Sequence, residues 1–347
     1  MVKIITIGSA TMDVFVECEE ANIVSVCSKA RNSNFMSYPY GSKIDISTFA
    51  SNVGGGGINT ACNFGNLGFE TSAIFKLGKD FYADGILNFL NNKNVKLDDI
   101  IQNEEFSTGF SVILVSFQGD RTVLAHRGAN ACISENDINF SAIKEADFIY
   151  IAPLNGDSNK VLKKIVDYAE ENDTKICFNA GTTSIKQGFE YLKDVLDSAH
   201  IVVMNKEEAS MATGIEVRPD TRTEKFSQDV IHKDIKSMLE KLKIKDYQVV
   251  VITDGGNGAY AYEGKNFYYC PVFPSETVST LGAGDAFAST FCATLIHDGI
   301  DVGKALMYAS VNSSSVVSKF GATDGLLNFD EIESLLKTRQ DFTYLLA

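Results

Sequence analysis

The stretch at residues 278–287 is Val-Ser-Thr-Leu-Gly-Ala-Gly-Asp-Ala-Phe, and it predicts a tight turn that opens a helix. Gly282 and Gly284 allow the backbone to bend sharply, so that amide groups point outward. The helix is expected to run to Gly299, with apolar residues at four-residue spacing at Phe287, Phe291 and Leu295. Because a helix N-terminus favours negative charge, these amide groups predict a phosphate site.

An acidic residue, Asp285, lies in the same turn, where its carboxylate would repel a phosphate. This placement makes chemical sense if Asp285 accepts the proton of a hydroxyl group that attacks the phosphorus atom. A capped helix with an aspartate in its first turn is the structural alternative. The stretch therefore indicates phosphoryl transfer to an alcohol.

The 347 residues carry a formal net charge of −14, and 45% of them are hydrophobic. This length and composition suit a large α/β core. The negative charge argues against a nucleic-acid partner, although a local cradle still lets a nucleotide bind. No apolar run approaches the roughly 20 residues of a membrane span, and the first residues lack the layout of a signal peptide.

The seven cysteines are scattered, and none forms a C-x-x-C pair, which is typical of reduced thiols. The four histidines are isolated and predict no zinc site. We therefore expect a cytoplasmic protein that has neither a nucleic-acid partner nor a membrane partner.

A second glycine-rich stretch, residues 54–57, precedes a predicted helix that runs to Leu67. Four consecutive glycines cost much backbone entropy, so another group is expected to approach this backbone closely. Asn59 lies one turn into the helix, where its amide both donates and accepts hydrogen bonds, which suits a sugar hydroxyl. Asp13 stands among apolar residues of a predicted strand at 12–17, so it needs a partner or a function. A flexible turn and a turn aspartate are the structural alternatives.

A small separate sheet is predicted from strand 12–17 and a hairpin. The hairpin strands are expected at Thr108–Phe117 and Arg121–His126, around a turn at 118–120. Residues 28–48 are polar and predict an irregular excursion.

From residue 147 onward, predicted strands and helices alternate, which is typical of a parallel sheet with helices on its faces. Ser158 is expected to cap a helix over 158–171. Ligands of such sheets bind at the carboxyl ends of strands. Asn205, residues 253–255 and the Gly282 loop all follow predicted strand ends, so they are expected to share one rim.

Four motifs, in order along the chain, resemble those of the ribokinase/PfkB family of carbohydrate kinases over nearly the full length. Residues 54–59 resemble the family's glycine-rich N-terminal signature, and residues 281–287 resemble its G-A-G-D signature. Between them, residues 205–208 match N-x-x-E and residues 253–258 match T-x-G-x-x-G.

This resemblance implies an α/β fold, a three-layer α/β/α sandwich with a central, mostly parallel sheet and a small β-sheet lid. It implies one kinase domain over 1–347, with the lid formed by segments at about 11–53 and 106–127. The implied activity is the ATP-dependent phosphorylation of a hydroxymethyl group of a sugar or sugar-like substrate. Family members often pair through the lid, so a homodimer is the default expectation.

The resemblance also implies roles for individual residues. Asp285 is the general base, and the anion hole is formed by the amide groups of Gly282, Ala283 and Gly284. Substrate hydroxyls are held at Asp13, Gly55, Gly56 and Asn59. The nucleotide is bound at Asn205, Thr253, Gly255, Gly258 and Ser310. Glu208 organises Mg²⁺ through water.

The chain departs from the family pattern at Ser279 and Leu281, where an aspartate and a threonine are common. In the family these positions help to hold a monovalent cation behind the anion hole, so the resemblance does not extend potassium activation to this chain. Near residues 153–155 there is no counterpart of the acidic residue that ribokinase uses on ribose.

The sequence was also compared with the patterns of three other functions. A nucleoside kinase of the same family is the main alternative, because Phe35, Tyr38 and Tyr40 could stack on a base. A dinucleotide-dependent oxidoreductase needs G-x-G-x-x-G after the first strand, and residues 54–59 do not fit that spacing. A non-catalytic protein that keeps the fold is disfavoured by Asp285 and its glycines.

Overall fold

The computed structural model of the chain describes residues 1–18, 21–27, 32–116, 121–217, 231–299 and 301–346. The predicted turn at 118–120 lies outside these residues. In chain order the strands are β1 (Lys3–Ile7), β2 (Thr11–Glu17), β3 (Asn22–Cys27), β4 (Asn32–Ser37), β5 (Thr48–Gly54), β6 (Glu70–Ile74), β7 (Lys76–Gly78), β8 (Val95–Lys96), β9 (Ile101–Asn103), β10 (Gly109–Val115), β11 (Arg121–His126), β12 (Phe148–Ile151), β13 (Lys175–Asn179), β14 (Ile201–Asn205), β15 (Val249–Thr253), β16 (Ala259–Tyr262), β17 (Phe267–Cys270) and β18 (Leu345–Leu346).

The helices lie mainly between the strands of the second half of the chain. They are α1 (Gly56–Asn66), α2 (Phe81–Leu90), α3 (Phe140–Glu145), α4 (Leu162–Glu171), α5 (Thr182–Ile185), α6 (Phe189–Ser198), α7 (Lys206–Thr213), α8 (Lys233–Leu242), α9 (Ala283–Asp298), α10 (Val302–Val317) and α11 (Phe329–Thr338). No helix among the described residues is both long and apolar enough to cross a lipid bilayer.

The central sheet has ten strands in the order β18-β17-β16-β15-β14-β13-β12-β1-β6-β8. The strands from β15 to β8 pair in parallel, and β16, β17 and β18 extend the sheet in antiparallel fashion. Successive side chains of a strand point to opposite faces, so a sheet that is covered on both sides needs apolar residues throughout. In β12, for example, Ile149 and Ile151 face one core, and Tyr150 faces the other.

Helices cover both faces of this sheet and make the predicted three-layer sandwich. One core is formed with α3, α4, α6, α7 and α8. The core on the opposite face is formed with α1, α9, α10 and α11. The α/β/α expectation is therefore confirmed.

The predicted small sheet is present, with four strands in the order β11-β10-β2-β5. Its strands β2, β10 and β11 were expected from the sequence, whereas β5 was not. β5 pairs with β2 along its whole length, so that Asn52 lies opposite Asp13. We call this four-stranded sheet the lid.

The prediction of irregular structure over residues 28–48 is wrong for Asn32–Ser37, which forms β4 and pairs with β3. Asparagine and serine disfavour strands, but cross-strand apolar pairs outweigh that preference here. Ile23 lies opposite Met36, and Val24 lies opposite Phe35. Residues 28–31 lie outside the described part of the chain.

The prediction that Ser158 caps a helix is also wrong. Ser158 lies inside a 3₁₀ turn at Gly156–Val161, and α4 begins after it. Its buried hydroxyl instead donates to the carbonyl of Asn130 at 2.8 Å and accepts from the amide of Ile133 at 2.7 Å. These bonds fix Asn130, whose side chain bonds both backbone groups of Ala10 just before β2.

Candidate active site

The stretch for which an anion hole is predicted forms the N-terminus of α9, so the predicted helix start is present. Gly282 precedes the helix with φ of 75°, a conformation that favours glycine. A Cβ atom at this position would lie 2.6 Å from the Cβ atom of Ala322, so the loop packs against the segment after α10. A Cβ atom added to Gly284 would have no other atom within 4 Å, so this position faces open space. The first amide groups of a helix have no intrahelical acceptor, which leaves this turn ready to bind an anion.

Asp285 meets the second glycine-rich motif, although the two are far apart in the sequence. The Nδ2 atom of Asn59 donates to Oδ2 of Asp285 at 2.8 Å. A Cβ atom on Gly56 would lie 3.6 Å from Oδ1 of Asp285, so the glycine backbone also approaches the carboxylate. The other amide atom of Asn59, Oδ1, is buried and has no partner among the described residues. It therefore remains available to accept a hydrogen bond from a bound hydroxyl.

The environment of Asp285 suits a proton acceptor. Burial raises the pKa of Asp285 above the usual aspartate value, and the hydrogen bond from Asn59 opposes this shift by stabilising the carboxylate. A raised pKa brings the affinity of the carboxylate for a proton closer to neutral pH.

Asp13 lies on the inner face of the lid and is buried. Burial raises its pKa, and hydrogen bonds from Ser111 and Thr11 oppose that shift. A Cβ atom on Gly54 would collide with Oδ2 of Asp13, which explains why the glycine run begins at this residue. Gly55 has φ of 100° and packs against the carbonyl of Ser9. The run therefore lets β5 and α1 approach both carboxylates.

A cavity of about 310 Å³ lies beside the anion-hole turn. Its lining includes the predicted nucleotide and anion-hole residues Thr253, Gly255, Gly258, Ala283, Gly284 and Ser310. The hydroxyl of Ser310 is already engaged, because it donates to the carbonyl of Pro271 and accepts from the amide of Phe273. A cavity of this volume is in the range of small-molecule ligand sites in proteins.

Asn205 and Glu208 form a reciprocal capping box at the start of α7. The amide of Glu208 donates to Oδ1 of Asn205 at 2.8 Å, and the amide of Asn205 donates to Oε2 of Glu208 at 3.0 Å. Neither residue is among the described residues that line the cavity. The neighbouring Lys206 forms an ion pair with Asp254, which follows β15. Of the expected rim, Thr253, Gly255 and the turn after Gly282 thus line one cavity, whereas Asn205 is outside its lining.

A buried polar network that the sequence analysis missed joins the helices behind Asp285. Asn63 of α1 donates to Ser289 at 2.7 Å and to Thr290 at 2.8 Å, both on α9. Asn312 of α10 donates to Asn63 at 3.0 Å and to Thr290 at 2.8 Å. The position of Asn63 four residues after Asn59, on the same helix face, is a signal that could have indicated it.

Hydrogen bonds within the protein hold the turn before Gly282. The amides of Val278 and Ser279 donate to the carbonyl of Val317 at 2.8 and 3.0 Å. The amide of Leu281 donates to the hydroxyl of Ser279 at 3.3 Å.

The fold is that of the ribokinase-like kinases, and comparison with known proteins gives the family. Residues 3–328 match the model of the pfkB family of carbohydrate kinases. The chain therefore belongs to the pfkB carbohydrate kinase family and is an ATP-dependent phosphotransferase.

Its relatives differ in the substrates that their names state. The bifunctional ribokinase/ribose-5-phosphate isomerase A of Fructilactobacillus sanfranciscensis is 28% identical over 346 residues, which are 98% of this chain and 57% of that protein. The 5-dehydro-2-deoxygluconokinase of Halalkalibacterium halodurans is 24% identical over 308 residues, covering 85% of this chain and 88% of that protein. The chain thus spans little more than half of the bifunctional relative.

A solved structure with the same fold is the Arabidopsis thaliana ribokinase complexed with ribose and ATP. It has a TM-score of 0.75 and 21% sequence identity, over 97% of this chain and 99% of that chain. This similarity confirms the predicted ribokinase-like fold.

Two glycine-to-alanine substitutions test the role of the backbone in the turn at Gly282–Gly284. We expect Gly282→Ala to lower the free energy of unfolding by about 1–3 kcal/mol, because φ is positive and Ala322 is close. Gly284→Ala is the matched control, expected within about 0.5 kcal/mol of the parent. Urea denaturation measures both. Equal losses for the two variants would contradict this account of the loop.

Proposed function

We propose that this kinase transfers the terminal phosphoryl group of ATP to a hydroxymethyl group of a sugar or sugar-like alcohol, with Asp285 as general base. One observation carries the proposal. The carboxylate of Asp285 lies at the N-terminus of α9, beside the nucleotide-sized cavity, and is bonded to Asn59 of the other glycine-rich motif. A proton acceptor and an anion site therefore lie side by side, as phosphoryl transfer to an alcohol requires.

Different residues act on the acceptor and on the nucleotide. Asp285 takes the proton of the attacking hydroxyl, while the amide groups of Gly282, Ala283 and Gly284 stabilise the charge on the transferring group. Thr253, Gly255, Gly258 and Ser310 enclose the nucleotide. Mg²⁺, when bound, would neutralise phosphate oxygens, and Asn205 and Glu208 would hold it through water. The carboxylate and amide oxygens of these two residues are suitable for that role.

Asp13 and Asn59, with the backbone at Gly55 and Gly56, hold the acceptor. The unpartnered Oδ1 atom of Asn59 supports this assignment, because a buried acceptor without a hydrogen bond is costly unless a ligand supplies one. The named activity of the bifunctional relative makes ribose the first candidate, and that of the deoxygluconokinase makes a six-carbon sugar derivative the second. Of the three aromatic residues that could stack on a base, Tyr38 is half-buried and Phe35 and Tyr40 are 54% and 106% exposed, and a nucleoside stays the alternative acceptor.

The 347 residues act in this proposal as one kinase domain, with the lid over the acceptor. The outer face of the lid carries apolar side chains, including Phe49 and Leu124, which are 65% and 55% exposed. Burial of such a face stabilises association, so two chains are expected to pair through their lids. All seven cysteines are free, which supports the expectation of a cytoplasmic protein.

The anion-hole turn is expected to work without a monovalent cation. Ser279 and the carbonyl of Val317 supply hydrogen bonds that fix this turn. A comparison of turnover with and without potassium tests this expectation.

The base assignment is tested with Asp285→Asn. We expect turnover to fall by about 10²–10⁴-fold, because the amide cannot accept the proton, while ATP still stabilises the fold. ADP release with Mg-ATP is measured against ribose, 5-dehydro-2-deoxygluconate, fructose, adenosine and inosine, with and without potassium. Asp301→Asn, which keeps the cap of α10, is the control and should retain activity. Near-normal turnover of Asp285→Asn would refute the assignment.

The pH profile gives a second test. Asp285 must be ionised to act as a base, so kcat/KM should fall as pH decreases through its raised pKa. The hydrogen bond from Asn59 lowers that pKa, so Asn59→Ala should move the acidic limb to higher pH, besides raising KM for the sugar. Asn266→Ala is the control, because the side chain of Asn266 is exposed and bonds Glu263, which is not a residue of the site. An unchanged acidic limb in Asn59→Ala would be evidence against the coupling.

A further inference from the structure

The segment that follows α10 holds the turn before α9 from two sides. The carbonyl of Val317 accepts hydrogen bonds from two amide groups of that turn, at 2.8 and 3.0 Å. At the other end of the segment, a Cβ atom on Gly282 would lie 2.6 Å from both the Cβ atom and the carbonyl oxygen of Ala322. We call residues 317–322 the bracing segment. Because both of its ends contact the turn, a displacement of this segment would displace the turn as well.

Between these two contacts, the bracing segment touches the lid. The ring of Phe320 lies 4.6 Å from the ring of Phe15, and the two ring planes are inclined by 56°. Aromatic pairs at such distances attract each other beyond the effect of burying their surface. A second side chain of the lid reaches the same turn, because Nη2 of Arg121 donates to Oγ1 of Thr280. The bracing segment thus connects the lid with the turn.

Phe15 lies on the same strand and the same face as Asp13. Alternate residues of a strand point to one face, and two residues span about 7 Å. β2 is paired along its whole length, with β5 on one side and β10 on the other. A strand that is bonded on both sides moves together with its sheet. A ligand that holds Asp13 in place would therefore also hold Phe15 against Phe320.

The two rings stand apart from the apolar cores of the kinase. Neither Phe15 nor Phe320 belongs to the three clusters of buried apolar residues in the described part of the chain. Phe15 is 3% exposed, whereas Phe320 is 38% exposed. A phenylalanine that served only the stability of the body would be expected inside one of these cores. The position of Phe320 at the junction of lid and body favours a role in placing one relative to the other.

We propose that Phe320 is a positioning residue that couples the lid to the turn at Gly282–Gly284. This inference rests on the function proposed above, in which the acceptor binds at Asp13 and the transferring phosphoryl group binds at the turn. Binding of the acceptor holds the lid, and the lid holds the ring of Phe320. The bracing segment then keeps the turn in the geometry that binds the phosphoryl group. In this role Phe320 contacts no reacting atom.

Coupling of this kind is reciprocal. If the acceptor raises the affinity for the nucleotide by some factor, the nucleotide raises the affinity for the acceptor by the same factor. A single aromatic pair accounts for a factor of about two to ten. The kinase is therefore expected to bind an ATP analogue more tightly when the acceptor is present, and Phe320 is expected to carry most of that gain.

Four variants and a control test this coupling. Phe320→Leu and Phe15→Leu each remove one ring and keep an apolar side chain, and the double variant removes both rings. Phe320→Tyr keeps the ring and is the conservative variant. Phe267→Leu is the matched control, because Phe267 is partly buried and stacks on Tyr262 at 4.3 Å in the antiparallel part of the central sheet. Neither ring of that control pair is among the described residues that line the cavity beside the turn.

Calorimetry measures the affinity for the magnesium complex of a methylene analogue of ATP, which cannot transfer its terminal phosphate. The titration is made first without acceptor and then with saturating acceptor. The acceptor is ribose, or the compound of the panel above that gives the highest turnover. Turnover with Mg-ATP is measured on the same samples.

We expect the acceptor to raise the affinity of the parent for the analogue by about threefold or more. In Phe320→Leu this gain should fall below about 1.5-fold, while the affinity without acceptor stays within about twofold of the parent and kcat falls about 3–10-fold. Phe15→Leu and the double variant should behave like Phe320→Leu, because all three lack the same ring contact. Phe320→Tyr and Phe267→Leu should keep the gain of the parent. Binding of the analogue without acceptor also shows that the variants are folded.

Several results would overturn the inference. Phe320→Leu with the full gain of the parent would do so, as would an affinity for the analogue that falls equally with and without acceptor, which indicates a purely structural contact. A double variant that loses the sum of the two single losses would show that the rings act separately. An active parent without any gain would contradict the coupling as well. A parent that transfers no phosphoryl group to any compound of the panel would overturn the proposed function itself, so the two failures are distinguishable.

Discussion

The hydrogen bond between Asn59 and Asp285, 2.8 Å long, is the contact on which the site depends. It joins the first helix after one glycine run to the first turn of the helix after the other. For it to form, α1 and α9 must lie close together at their N-terminal ends. The glycines make this possible, because side chains at Gly54 and Gly282 would collide with Asp13 and Ala322. The two motifs thus form one site, and neither alone brings Asp285, Asn59 and the N-terminus of α9 together.

The polar network around Asn63 holds this arrangement from behind. Asn63, Ser289, Thr290 and Asn312 are buried and bonded to one another across α1, α9 and α10. Apolar side chains would allow these helices to slide or rotate with little cost, whereas directional bonds in a dry interior fix one alignment. A shift of either helix would leave polar groups unsatisfied, at about 1–3 kcal/mol for each group. The network therefore gives Asp285 and Asn59 a defined separation.

The sequence was most informative where local pattern and tertiary role agree. The strands of the central sheet are apolar on both faces because both faces are covered. Asp80 caps the start of α2 and Gly214 ends α7, as is typical of these residue types. It was least informative in the lid and its neighbourhood. The strand Asn32–Ser37 has unfavourable residues and is held by its partner, and Ser158 bonds to distant backbone groups although its local context suggests a cap. In these places long-range contacts outweigh local preference.

The sequence by itself determined the family, the glycine turns, Asp285 as the candidate base and the motifs at the rim, because each of these depends on residues that are adjacent in the chain. The tertiary structure alone decided which distant groups meet. It paired Asn59 with Asp285, used Asn205 and Glu208 as a helix cap, and brought Arg121 of the lid against Thr280. Such contacts depend on the closure of loops many residues long and on how whole elements pack. A local spacing of residue types does not contain that information.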